Sequence, residues 1–239
     1  MKVQPIIFNW RTTFDGTKTK ERQFKELGFN PIVINSDEKN EDPNWVNIGE
    51  DAYFNKQFIV AIQTFLKTDA DVFFHVQGDA SYSDWSVILN DSERYFEKYN
   101  WGIYAPNVDY TWYDSSRTDV DGIQFEEDHL RFVACTDCTC WMIHRDIIEM
   151  YQKSNIDMNP YVFGWGWDII FPAFCYLNRR PVIRDYIHTI DHPPGTNYNK
   201  HKAEMEMSDL FSKLSEDMKI MFYMIKQDRH KLKLFYSNK

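Results

Sequence analysis

Short apolar runs and helix-period stripes alternate along the chain. Residues 5–9 (Pro-Ile-Ile-Phe-Asn), 31–35 (Pro-Ile-Val-Ile-Asn) and 72–76 (Val-Phe-Phe-His-Val) are brief and rich in β-branched and aromatic side chains, the signature of strands buried on both faces. Between them, residues 19–27 carry Phe24 and Leu27 and stop at Gly28, while residues 54–66 place Phe54, Phe58, Ile62 and Leu66 four apart. The first two strands and the helix joining them form a βαβ unit, which implies a right-handed crossover and a parallel sheet. Further along, residues 84–99 read as a helix and 101–106 as a strand ended by Pro106. Residues 107–129 are acidic and aromatic without a period and read as a long loop. Two strands at 130–135 and 139–144, broken by a turn at Thr136-Asp137, precede a helix at 146–153, an apolar helix from Asp168 to Leu177 and a strand at 181–187. This alternation makes the fold class α/β. From residue 199 onward, Met207, Leu210, Leu214, Met218, Met221, Phe222 and Ile225 recur at three and four, which predicts one helix of several turns.

The strand ends carry the candidate chemistry. Gln77-Gly78-Asp79 follows the most apolar strand directly, so Asp79 stands at the C-terminal edge of the sheet, where open α/β sheets bind ligands. It suits metal or phosphate chemistry; equally, Gly78-Asp79 is a turn before a helix capped by Ser83 or Asp84. Arg11 and Thr12 end the first strand and Asp37 the second, positions from which a nucleotide's phosphate, base or ribose is reached. A surface ion pair and a turn account for Arg11 and Asp37 as readily. No Gly-x-Gly-x-x-Gly follows the first strand, which argues against a dinucleotide cofactor. In Gly164-Trp165-Gly166-Trp167-Asp168, glycines let backbone approach a ligand while indoles form walls, and Asp168 is either a functional carboxylate or a helix cap. His192 lies past a strand, beside Asp191 and before two prolines, where an imidazole together with carboxylates suits a divalent ion such as manganese.

Composition narrows the partners. With 239 residues, 43% hydrophobic and 17% aromatic, the chain buries a full core and has aromatic faces in reserve for sugars or bases. A net charge of −9 argues against broad contact with nucleic acid or an anionic membrane. No long uncharged apolar run and no leader pattern occur, so the expected location is cytoplasmic. Cys135, Cys138 and Cys140 cluster without a second thiol pair, so they read as small buried strand residues rather than a zinc site.

Taken in order, the βαβ start, Gln77-Gly78-Asp79, the Gly-Trp-Gly-Trp-Asp segment and the late His192 resemble the GT-A fold glycosyltransferases over residues 4 to 196. The resemblance implies a Rossmann-like, mostly parallel sheet flanked by helices in a domain at 1–198, and the helical period of the tail adds an extension at 199–239 packed on it. It implies a glycosyltransferase that moves a hexosyl or pentosyl group from a nucleotide-diphosphate sugar to a hydroxyl of a glycan, glycoprotein or other acceptor. A divalent cation, Mn2+ or Mg2+, would sit on Asp79 and His192. The family's Asp-x-Asp is here Gln77-Gly78-Asp79, so only its second acid carries over. Arg11, Thr12, Asp37, Gln77 and Gly78 would line the donor nucleotide, and Trp141, Trp165, Gly166 and Trp167 the sugar or acceptor. Asp168 would be the base in an inverting transfer or would orient the acceptor in a retaining one. Loss of the first motif acid also fits a non-catalytic carbohydrate- or nucleotide-binding module. The tail helix is placed on the domain, over the site, or in a homodimer contact.

Overall fold

In the computed structural model, residues 1–49, 52–194 and 198–236 are described. Eight strands form one sheet in the order β3-β2-β1-β4-β7-β5-β8-β6. At its centre β1 (Val3–Asn9) pairs in parallel with β2 (Ile32–Asn35) and β4 (Val72–Gln77), and β2 with the two-residue β3 (Val46–Asn47). Antiparallel β7 (Cys140–His144) is inserted between β4 and β5 (Ile103–Val108). Beyond it, β8 (Val182–Ile190) runs parallel to β5, and β6 (Leu130–Phe132) closes the edge antiparallel to β8.

Both faces of the sheet are covered, which is why its strands read as continuous apolar runs. Ile6, Phe8 and Phe73 face one buried cluster, packed by α2 (Phe54–Phe65), α5 (Arg145–Lys153), α6 (Trp167–Leu177) and α8 (Glu216–Gln227). Ile7, Val72, Phe74 and Val76 face the other, under α1 (Phe14–Glu26) and α3 (Trp85–Tyr99). The period-2 alternation thus persists inside strands that look uniformly hydrophobic.

Several predicted boundaries shift for identifiable reasons. Pro106 does not end its strand: β5 runs to Val108, and the pairing with β8 shifts register between Pro106 and Asn107, where a residue without an N–H is tolerated. The strands on either side of Thr136-Asp137 do not pair, because β6 joins β8 while β7 crosses to β4 and β5. The predicted loop at 107–129 contains a short helix, α4 (Ser115–Thr118), capped by Asp114. The tail is two helices, α7 (Lys200–Lys213) and α8, because the Ser215 side chain accepts the Met218 N–H and caps a new start. Leu210, Leu214, Met221, Phe222 and Ile225 are buried in the α6 side of the core, and a 3-10 helix (Arg229–Phe235) follows.

Candidate functional site at the C-terminal edge of the central strand

Two segments meet past the end of β4. The backbones of Ser81 and Asp191 exchange hydrogen bonds, Ser81 N to Asp191 O at 2.9 Å and Asp191 N to Ser81 O at 3.0 Å. This bridge carries His192 to Asp79, with Nε2 3.6 Å from Oδ1. The His192 N–H donates to Asp109 Oδ1 at 2.9 Å, a carboxylate that also accepts the Tyr110 N–H, so the acidic segment helps hold the imidazole in place. Asp79 Oδ1 and His192 Nδ1 are both buried and have no hydrogen-bond partner. Burial raises the Asp79 carboxyl above its ordinary range, opposed by His192 and Lys20. A buried carboxylate oxygen without a donor, facing an imidazole nitrogen, is the donor set a divalent cation completes, so these residues fit the metal that the resemblance implies.

Lys20 builds the floor under Asp79. It lies on the buried face of α1 with Thr17, Glu21 and Phe24, and its ammonium donates to Gly78 O at 2.7 Å and Ala80 O at 2.6 Å. Burial lowers its pKa from an ordinary 10.5 to about 8, against the pull of Asp79. Gly78 is demanded by space, since a Cβ there would stand 2.5 Å from Phe8 O and 2.5 Å from Thr13 Oγ1. The helical period of α1 marked position 20 as inward, but lysine's polarity kept it out of the sequence reading.

The ends of β1 and β2 are tied by buried amides. Asn9 Nδ2 donates to Asn35 Oδ1 at 2.7 Å, Thr13 Oγ1 to Asn9 Oδ1 at 3.1 Å, and Gln57 Nε2 to Asn9 O at 2.8 Å. Asp37 is 2% exposed and accepts from the Lys39 N–H and Asn40 Nδ2, so its carboxylate shapes a turn rather than standing open to a ribose. Arg11 and Thr12 are exposed in the turn after β1, and Thr12 holds φ +86, a costly conformation for a β-branched residue. Asn9, Asn35 and Gln57 went unread because amides near strand ends leave no periodic signal.

The Gly-Trp-Gly-Trp-Asp segment is more structural than its composition implies. Trp167 is 0% exposed, stacks on Phe171 and donates to Asn55 Oδ1 at 2.8 Å. Trp141, also 0% exposed, packs against Phe58 and Phe171. Both are core residues and correct the expectation of stacking walls. Gly166 (φ +118) makes its close approach to Leu210 of α7, 2.7 Å from where a Cβ would lie, rather than to a ligand. Trp165 remains half-buried, its Nε1 donating to Tyr198 Oη at 2.9 Å. Asp168 is 7% exposed; its Oδ1 accepts the Gly166 N–H at 3.1 Å, and its Oδ2 accepts from the Tyr113 hydroxyl and lies 3.9 Å from Lys226 Nζ of α8. Burial, reinforced by the Asp168 charge, holds the thiols of Cys135 and Cys138 high, and Thr139 O accepts the Gln77 N–H at 2.9 Å. Residues 135–139 therefore run from within reach of the Asp168 charge to the terminus of β4.

Among the described residues, one further set of metal-type donors comes together, Asp91, Asp185 and His188; the clustered cysteines form no such set. The hollow lined by Phe96, Asn100, His144, Asp146 and Arg180 lies at the opposite edge of the sheet, where β5 begins and antiparallel β7 ends. No helix among the described residues is long and apolar enough to cross a membrane.

The sequence matches no protein-family model and no curated protein. Among solved structures, the chain is similar to residues 1–349 of S. aureus TarS, a GT-A glycosyltransferase, with a TM-score of 0.60 and 10% identity over 99% of this chain and 73% of that one. A weaker likeness is to a UDP-glucose pyrophosphorylase complexed with UDP-glucose, TM-score 0.45 and 10% identity over 90% of this chain and 100% of that one. With its eight-stranded, mostly parallel sheet, helical flanks and C-terminal helices, the chain has a GT-A-like fold.

Proposed function

We propose that the chain is a divalent-metal-dependent glycosyltransferase that moves a sugar from a nucleotide-diphosphate donor to an acceptor hydroxyl. The observation that carries this reading is the meeting of Asp79 and His192 through the Ser81–Asp191 bridge, with Asp79 Oδ1 left without a partner, at the ligand-binding edge of a GT-A-like sheet. Asp79 and His192 would hold the cation, Mn2+ or Mg2+, which when bound supplies positive charge for the departing diphosphate. Lys20 fixes the turn at 78–80 and adds a cation near Asp79. Arg11 and Thr12 are exposed beside the same edge and suit the nucleotide, while Gln77 replaces an acid by a neutral hydrogen-bonding group.

Asp168 takes the acceptor. Its Oδ1 is engaged by the Gly166 N–H, so Oδ2 is the atom that receives a proton, and the acceptor hydroxyl competes with the Tyr113 hydroxyl for it. Tyr113, on the acidic segment, thus closes the acceptor side until a substrate arrives. Half-buried Trp165 offers the sugar a face. Residues 1–198 form the catalytic unit in this reading and 199–239 an extension that brings Lys226 to Asp168.

A second reading, a carbohydrate- or nucleotide-binding module without turnover, draws on Gln77 standing in place of an acid and on the hydrogen bonds already made by both Asp168 oxygens. A thermal-shift panel of UDP, GDP, CDP and dTDP sugars with and without Mn2+ tests the donor site. One nucleotide should raise Tm, only with metal, and the shift should vanish in Asp79→Ala. Metal-independent shifts with no sugar nucleotide turned over would favour the binding module, and no shift at all would overturn the donor assignment.

A further inference from the structure

We propose that Asp91, Asp185 and His188 form a second, structural cation site that takes a zinc-type divalent ion and is separate from Asp79 and His192. One donor atom from each residue lies within 4.8 Å of the others. His188 Nε2 is 2.8 Å from Asp91 Oδ2, a hydrogen bond that the ion would replace, and 3.8 Å from Asp185 Oδ2. Tetrahedral zinc with bonds of about 2.1 Å separates its donors by roughly 3.4 Å, a value these two distances straddle. The three donors fill three of the four positions of a tetrahedral shell, and a water entering past Asp91 would take the fourth.

The outward atoms of the same groups are already occupied. Tyr82 Oη holds His188 Nδ1 at 2.8 Å, the Ile187 N–H donates to Asp185 Oδ1 at 3.0 Å, and Arg94 pairs with Asp91 Oδ1 at 2.9 Å. An imidazole whose far nitrogen is fixed by a neighbour presents its near nitrogen in one direction, the arrangement that orients metal ligands. Tyr104 also reaches inward, its hydroxyl donating to Asp185 Oδ2 at 2.7 Å, and supplies a further oxygen beside the site.

Charge gives a second reason. Asp185 is 0% exposed and His188 4%, while the Asp91 side chain is 18% exposed, so two carboxylates converge where little water reaches and only Asp91 opens a way in. Carboxylates this close and this buried repel strongly unless positive charge intervenes. Of the groups facing them, His188, His129 (Nε2 3.9 Å from Asp185 Oδ1) and Arg94, only Arg94 carries a permanent charge, with 60% of its side chain exposed, and a divalent ion between the carboxylates balances both. The mixed nitrogen and oxygen set suits zinc better than calcium or magnesium, which take oxygen.

Such an ion would tie α3, which carries Asp91, to β8, which carries Asp185 and His188. β8 leads on to His192, and α3 follows the segment that begins at Asp79. The site would therefore brace both arms of the Asp79–His192 pair without touching it.

The test is zinc binding by the full chain, stripped of metal and titrated with zinc chloride alone, read by bound metal per chain after dialysis and by Tm. Wild-type chain should retain one equivalent, with Tm raised by about 5–10 °C at a hundredfold excess over Kd. Asp91→Asn and His188→Gln should lose that equivalent, and the double variant Asp79→Ala/His192→Ala should keep it. Tyr82→Phe, which leaves the three donors in place, should bind about 10–100-fold more weakly, and it decides the matter if His188→Gln fails to fold. No retained zinc in wild type, unchanged affinity in Tyr82→Phe, or loss in the Asp79→Ala/His192→Ala variant would overturn the proposal.

Discussion

Lys20 and His75 are the residues at which burial and charge conflict most openly. Lys20 is held at a pKa of about 8 from an ordinary 10.5, so between those values the unfolded chain binds more protons than the folded one and stability rises with pH. The neutral amine keeps two N–H groups, enough for Gly78 O and Ala80 O. The gain across pH 8 to 10.5 is on the order of 3 kcal/mol, and Lys20→Met should flatten it in urea unfolding curves taken across that window. His75 shows the same sign at lower pH. Its imidazole is 0% exposed among Phe8, Phe54, Phe58 and Phe73, and burial lowers its pKa from 6.5 to about 3. Its contribution is intact above pH 6.5 and is lost as pH falls toward 3, on the order of 5 kcal/mol in all. His75→Phe should make the chain more resistant to acid in a Tm series from pH 7 to 3. Neither residue stood out in the sequence, because a single polar side chain on a buried face does not disturb the apolar period around it.

At the scale of elements, the predicted strands and helices lie close to the observed ones where side-chain period and length agree, as in β1, β2, β4, α2 and α3. Errors fell where a single side chain or a distant partner decides, as with the Ser215 cap and the pairing of β6 with β8. The Gly-Trp-Gly-Trp-Asp segment is the instructive case, since aromatic residues flanked by glycine suit a ligand wall and a core corner equally until neighbours are known. Trp167 is a corner, and Trp167→Ala should cost about 3–5 kcal/mol in urea unfolding. Gly166→Ala should also destabilise, because φ +118 disfavours a side chain and Leu210 occupies its space. Tyr113→Phe separates structure from chemistry at the acceptor side. It removes one hydrogen bond to Asp168, worth about 1.5–3 kcal/mol when the acceptor is charged, and in the proposed mechanism should lower KM for the acceptor while leaving donor binding unchanged in initial-rate kinetics.

For the whole molecule, the alternation of strands and helices made the α/β class legible, and the order of motifs along the chain pointed to the GT-A-like fold. What the order could not convey was depth. Asp37, Trp141 and Trp167 sit at the expected places in the chain but face inward, and Lys20, Asp109 and the Asp91–Asp185–His188 group converge from distant segments. The proposed function depends on Asp79 and His192 acting on a sugar nucleotide at the sheet edge, and the most direct measurement is release of nucleoside diphosphate from UDP, GDP, CDP and dTDP sugars in the presence of Mn2+. Wild-type chain should release nucleoside diphosphate from one of them, with a rate abolished by chelator and lowered at least about a hundredfold in folded Asp79→Ala, the loss expected when a group stabilising the departing charge is removed. Release that persists undiminished without metal or in Asp79→Ala, or the appearance of pyrophosphate in place of nucleoside diphosphate, would contradict it.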